Sequence, residues 1–135
     1  MKSVKKLSKH LKSEWSLKKP LYIDKKDRRY KLFVGQLKTN GFNDSETWAL
    51  DSVIAKFILP RLIRFKELNI GYPGNEITWE KWNEMLDDMI FAFSWSLHYD
   101  DDLTEEPSPV EKRRNWVRHD RGMKTFAKWF HHLWW

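Results

Sequence analysis

The chain has no cysteine, so a disulfide framework and a thiolate metal site are both excluded, and the composition suits a reducing cytosol. No apolar run approaches the roughly 18 residues of a membrane span. The basic N-terminus lacks the 7–15-residue apolar block of a secretory signal and is expected to belong to the mature protein. Glycine and proline occur five times each, and no nucleotide-binding loop, metal-ligand spacing or nucleophile triad is evident. At 135 residues there is room for one core and no second domain.

Aromatic side chains are abundant instead. They make up 16% of the chain and include nine tryptophans, more than a small core needs, so some rings are expected to face a partner or a second copy of the chain. Charge is segregated along the sequence. Residues 1–40 carry 13 Lys/Arg against 3 Asp/Glu, residues 41–110 carry 5 against 14, and residues 111–135 carry 7 against 2. An acidic middle draws two basic ends towards it, and basic surface left unpaired attracts an anionic partner. Opposed charges that merely hold outer helix faces together are the alternative.

Residues 1–20 read as a basic amphipathic arm on which Val4, Leu7, Leu11 and Trp15 form one narrow apolar stripe, stopped by Pro20. Such an arm can dock on the rest of the chain, lie on an anionic membrane surface or close over nucleic acid. Residues 21–135 read as an all-α, single-domain helical bundle of about four principal helices. Asp24 caps the first, about 25–39, on the stripe Tyr30, Phe33, Val34 and Leu37, ending at Gly41; a hairpin of 21–23 with 31–34 is the competitor. Asp44 or Ser45 caps the second, about 45–68, with Trp48, Val53, Ile54, Phe57, Ile58, Leu62 and Phe65 turned inward. Pro60 is expected to kink or restart it, giving arms of 45–59 and 60–68.

Gly71 offers a helix stop, and the Gly-Tyr-Pro-Gly turn leaves Tyr72 exposed. Thr78 caps the third helix, about 79–97, on which Trp79, Trp82, Met85, Leu86, Met89, Ile90 and Phe93 recur at helical spacing, and its nearly all-round apolar C-terminal end (Met89, Ile90, Phe91, Ala92, Phe93, Trp95 and Leu97) marks it as the most buried element. After an acidic connector, Ser108-Pro109-Val110-Glu111 is a capping box that opens the last helix, about 109–134. Gly122 inside that helix costs about 1 kcal/mol against alanine and permits a close helix crossing. Trp134 continues the Phe126, Ala127 and Phe130 stripe and is expected in the groove between the two central helices, with Trp135 at the rim or in a subunit contact.

Several stretches resemble a group of small helical proteins encoded by tailed bacteriophages: Thr47-Trp48-Ala49-Leu50-Asp51, residues 54–62, Gly71-Tyr72-Pro73, residues 78–82 with 86–90, and residues 122–130 with Leu133-Trp134. The resemblance covers about residues 41–135. It implies a helical fold and transfers no catalytic residue. It also implies an accessory protein at work in the cytoplasm of an infected bacterium, where countering host defence is a common occupation.

Three constellations bear on activity. The histidines His98, His119 with Asp120, and His131 with His132 invite a metal reading, but adjacent His131 and His132 point about 100° apart on a helix, and only one His-Asp dipeptide is present. Glu80, Glu84, Asp87 and Asp88 share one helical face and could hold Mg²⁺ with Asp51 or Glu67, as in all-α nucleotide hydrolases; pairing with Arg113, Arg114, Arg118 or the basic arm is the simpler expectation. Finally, basic and aromatic residues interleave twice. Arg61, Arg64, Arg113, Arg114, Arg118, Arg121 and Lys124 are the expected phosphate contacts, and Tyr72, Trp116, Trp129 and Trp135 the expected stacking or interface rings.

The expectation is therefore a non-enzymatic, self-associating protein with no cofactor, catalytic residue or metal site. It would capture a nucleotide-type defence signal or block a defence complex. Direct nucleic-acid binding and metal-dependent nucleotide hydrolysis are the alternatives.

Overall fold

The computed structural model describes residues 19–99 and 107–135. The stripe of the basic arm and most of the acidic connector lie outside the described residues. The fold is all-α, with no strand among the described residues: α1 (Tyr30–Asn40), α2 (Leu50–Leu68), α3 (Trp79–His98) and α4 (Pro109–Trp129).

Helix α3 is the hub. Thr78 caps it by accepting from the Lys81 N–H, and Trp82, Met85, Leu86, Met89, Ile90, Ala92 and Phe93 are all buried along it. Helices α2 and α4 pack on α3 from two sides. From α2 the core takes Ala55, Leu59, Leu62 and Ile63, and from the C-terminal region it takes the half-buried Met123, Phe126, Trp129 and Leu133. Phe126 meets Phe93 edge to face at 5.0 Å, and Trp129 meets Trp82 at 6.3 Å.

Helix α4 is polar along most of its length, and Gly122 is the only fully buried residue in it. The expected close crossing is present there. A Cβ built on Gly122 would stand 2.1 Å from the Asp88 carbonyl oxygen and 2.7 Å from the Ala92 Cβ, so the two backbones touch. The capping box at the start of α4 is also formed, with Ser108 Oγ accepting from the Glu111 N–H and Glu111 accepting from the Ser108 N–H.

Helix boundaries differ from expectation in three places. The first helix begins at Tyr30, because Asp24 accepts from the Lys26 N–H in a local turn and does not cap a helix. Asp27 then binds the backbone and guanidinium of Arg29, which lowers its carboxyl pKa to about 2. Before α2 a 3₁₀ turn, Asp44–Thr47, is capped by Asn43, not by Asp44 or Ser45. Asn43, Ser45 and Glu46 are buried and satisfy one another, and Leu21 N–H donates to Ser45 Oγ. The α-helix proper starts only at Leu50.

That late start changes the phase of α2. Ala55, Leu59, Leu62 and Ile63 face inward, whereas Trp48, Ile54 and Phe57, expected inside, are exposed. Trp48 instead seats α1, packing edge-on against Phe33 at 5.7 Å beneath the Arg29 guanidinium. Pro60 neither splits nor restarts α2, which runs through it as one element with Pro60 buried. Arg61 serves the backbone beside the missing N–H, donating to the Phe57 carbonyl at 2.8 Å.

At the other end α4 stops at Trp129 and a 3₁₀ turn, Phe130–His132, follows. The tighter turn breaks the 3.6-residue phase, so Leu133 packs on the core and Trp134 does not enter the groove between the central helices. Trp134 is 75% exposed and Trp135 65%.

The Gly122 seam yields a direct expectation. Gly122→Ala gains helix propensity but meets rigid backbone, so it should destabilise the fold by about 2 kcal/mol and lower the melting temperature by at least about 5 °C. A thermal melt at or above that of the parent would show that the helices do not touch there.

Candidate anion-binding site

Helix α3 sends two adjacent carboxylates in different directions, because successive helical positions are 100° apart. Asp87 accepts from Lys66 Nζ of α2 at 2.6 Å. Asp88 reaches α4, where Arg118 Nε donates to Oδ1 at 3.1 Å, and Arg121 donates from Nε to Oδ2 at 3.2 Å and from Nη2 to Oδ1 at 3.3 Å. The Arg118 guanidinium also lies over the Phe91 ring at 4.3 Å. Two guanidiniums on one carboxylate leave a net positive charge at the seam.

The acidic face of α3 is thus largely committed to cations of this chain. Glu84 pairs with Lys81, and Glu67, a proposed second-helix ligand, pairs with Arg64. Among the described residues no group of three or more His, Asp or Glu side chains stands close enough to share a metal ion.

The expected phosphate contacts separate into distinct groups. Arg61 is folded onto its own helix, over the Phe57 ring at 3.8 Å, and Arg64 is paired with Glu67, so both serve α2. Arg118 and Arg121 brace the seam. Arg113 and Arg114 lie exposed on the first half of α4 and pair with no carboxylate among the described residues. Further along α4, Val117, Arg121, Lys124 and Lys128 fall on one face and line a shallow cleft of about 460 Å³ with Asp120 and Thr125. This row is about 16 Å long at the helical rise of roughly 1.5 Å per residue.

The expected stacking rings divide in the same way. Trp116 is gathered into an aromatic cluster with Trp95 at 5.8 Å, Tyr99 at 5.2 Å and His119 at 5.1 Å. Trp129 is half-buried against Trp82. Tyr72 and Trp135, however, are brought together with Ile70, Pro73, His132 and Trp134 around a second cleft of about 400 Å³. The turn bearing Tyr72 is shaped by buried Asn69, whose side-chain amide donates to the Gly71 carbonyl at 2.6 Å and accepts from the Gly71 N–H at 3.3 Å. Sequence reasoning missed the part of Trp134 because helical periodicity places it inside. Lys128 is signalled by its spacing from Arg121 and Lys124.

One further arrangement was not legible in the sequence. Ser96 of α3 and His119 of α4 meet, Oγ to Nε2, at 2.9 Å, and His119 Nδ1 stands 3.0 Å from Asp120 Oδ1. The connectivity is that of a nucleophile triad, but Ser96 donates its proton one turn back to the Ala92 carbonyl at 3.0 Å. The Ala92 carbonyl therefore competes with His119 for the one hydroxyl proton, and the contact serves as a polar tie between α3 and α4.

No family model, curated protein or solved structure matches the chain, so the reading of these sites rests on their own geometry.

The serine assignment is open to a chemical check. A fluorophosphonate probe should leave Ser96 unmodified under conditions that label an activated serine, as read by mass spectrometry; stoichiometric labelling at Ser96 would contradict the tie.

Proposed function

We propose that the protein is a non-enzymatic binding protein that captures an anionic partner on the outer face of α4, in the cytoplasm of an infected bacterium. The observation that carries this reading is the row Arg121, Lys124 and Lys128. These three cations share one exposed face, and the acidic groups beside them, Asp88 and Asp120, are too few to neutralise them. A cationic face carried on a formed helix needs no backbone ordering on binding and steers an anion towards it.

The resemblance to phage-encoded proteins supports the setting and the purpose: sequestering a nucleotide-type defence signal, or blocking the acidic surface of a defence complex. Commitment of Asp87 and Asp88 to cations of the chain favours binding over metal-dependent hydrolysis. No helix among the described residues is long and apolar enough to cross a membrane, which accords with a partner met in solution.

The reading is tested by titrating the protein with mononucleotides, cyclic dinucleotides, short oligonucleotides and polyglutamate. At least one anion should bind with an affinity that falls steeply with salt. The variant Arg121→Glu/Lys124→Glu/Lys128→Glu should weaken that binding by at least about 100-fold, since every factor of ten is only about 1.4 kcal/mol. Binding that survives the triple reversal would place the site elsewhere.

A further inference from the structure

The second cleft lies at the end of α4 where the basic row finishes. Its walls are Tyr72 on the turn after α2 and Trp134 and Trp135 beyond the last 3₁₀ turn, with His132 between. Tyr72 is 53% exposed, and like Trp134 and Trp135 its ring faces solvent and not the core. Tyr72 packs edge-on against Trp79 at 6.3 Å, and His132 lies 5.0 Å from Trp129. Tyr72, Trp134 and Trp135 make no ring contact with one another. They bound a gap.

A gap walled by unstacked rings accepts a flat ring by stacking, and a cleft of about 400 Å³ falls within the usual range for small-molecule sites. No Asp or Glu side chain lines it, so its side chains offer no counter-charge to an organic cation, the other common guest of aromatic walls. Lys128, the last cation of the row, and His132 both reach the Trp129 ring, Lys128 Nζ at 5.7 Å and the His132 ring at 5.0 Å. The occupant that matches both neighbouring surfaces is planar at one end and anionic at the other.

We propose that this cleft is a nucleobase-binding site. The base of a nucleotide, free or at the end of a single strand, stacks among Tyr72, Trp134 and Trp135, and its phosphate lies towards Lys128 and Lys124. His132 offers a ring nitrogen to the edge of the base. The inference rests on the anionic-partner reading above and gives that partner a chemical class. It also assigns a task to two tryptophans that the fold leaves outside its core.

The full chain is tested against two probes, adenosine 5′-monophosphate by calorimetry and a fluorescein-labelled eight-residue oligo(dA) by anisotropy, with polyglutamate as a ring-free anion. The parent should bind at least one nucleotide probe: binding of the mononucleotide identifies a free nucleotide as sufficient, and binding of the oligonucleotide alone identifies a single strand. Trp134→Ala/Trp135→Ala should weaken nucleotide binding by at least about 10-fold, and Tyr72→Ala by several-fold, with the salt dependence unchanged. Trp134→Phe/Trp135→Phe should restore affinity to within about threefold. All these side chains are exposed, so the variants are checked for a parental melting temperature and circular dichroism spectrum. Undiminished nucleotide binding by the alanine variant, with loss in the α4 charge reversal, would overturn the cleft and leave the cationic face standing. A parent that binds polyglutamate through α4 but neither nucleotide probe, or one that takes a proline-rich peptide into the cleft instead, would do the same.

Discussion

The arrangement depends on how closely α4 approaches α3 at Gly122. Helix α4 brings no fully buried apolar side chain to the core, only the half-buried Met123, Phe126 and Trp129, so its apolar stripe alone holds it less firmly than an ordinary amphipathic helix is held. Its backbone rests on the Asp88 carbonyl and the Ala92 methyl, a distance that only glycine tolerates. That approach has an electrostatic consequence. Arg118 and Arg121, four residues and one residue before the glycine, are carried within reach of the Asp88 carboxylate, and Phe126 and Trp129, four and seven residues after it, reach Phe93 and Trp82. Half-exposed ion pairs add modestly on their own; here they fix the rotation of a helix already in van der Waals contact.

Rotation decides which cations remain available. With Arg118 turned onto Asp88 and Phe91, the opposite face of α4 presents Lys124 and Lys128, with Arg121 at its edge shared between seam and surface. On the far side of α3, Lys66 is spent on Asp87, Arg64 on Glu67 and Arg61 on the proline-interrupted backbone of α2. The basic residues of the described chain therefore fall into cations that hold helices and cations that meet solvent, with Arg121 serving both.

Much of this fold was legible because its strongest local signals agree with its packing. The Ser108 capping box, the Thr78 cap, the apolar periodicity of α3 and the close crossing at Gly122 each have a short-range cause that sequence displays. What was misplaced depended on phase. A 3₁₀ turn before α2 and another after α4 reset the helical register, which exposed Ile54, Phe57 and Trp134 and turned Leu59 and Ile63 inward. Such turns carry little signal in residue spacing. The candidate site was half legible for the same reason: Arg121 and Lys124 follow from periodicity within one helix, whereas Tyr72 with Trp134 and Trp135 is a meeting of segments 60 residues apart. Partnership was also hidden, since spacing cannot tell that Arg118 is held by Asp88 while Lys124 is not.

The seam, the inward and outward sorting of α4's cations, and the exposure of the C-terminal rings stand or fall with one contact. Nuclear Overhauser spectroscopy on labelled protein measures it without a substitution. The account predicts a strong cross-peak between the Gly122 α-protons and the Ala92 methyl group, with further cross-peaks from Gly122 to Asp88. If those cross-peaks are missing while the α-helical signals of residues 79–98 and 109–129 are intact, α4 packs on some other face, and the assignment of its cations is contradicted.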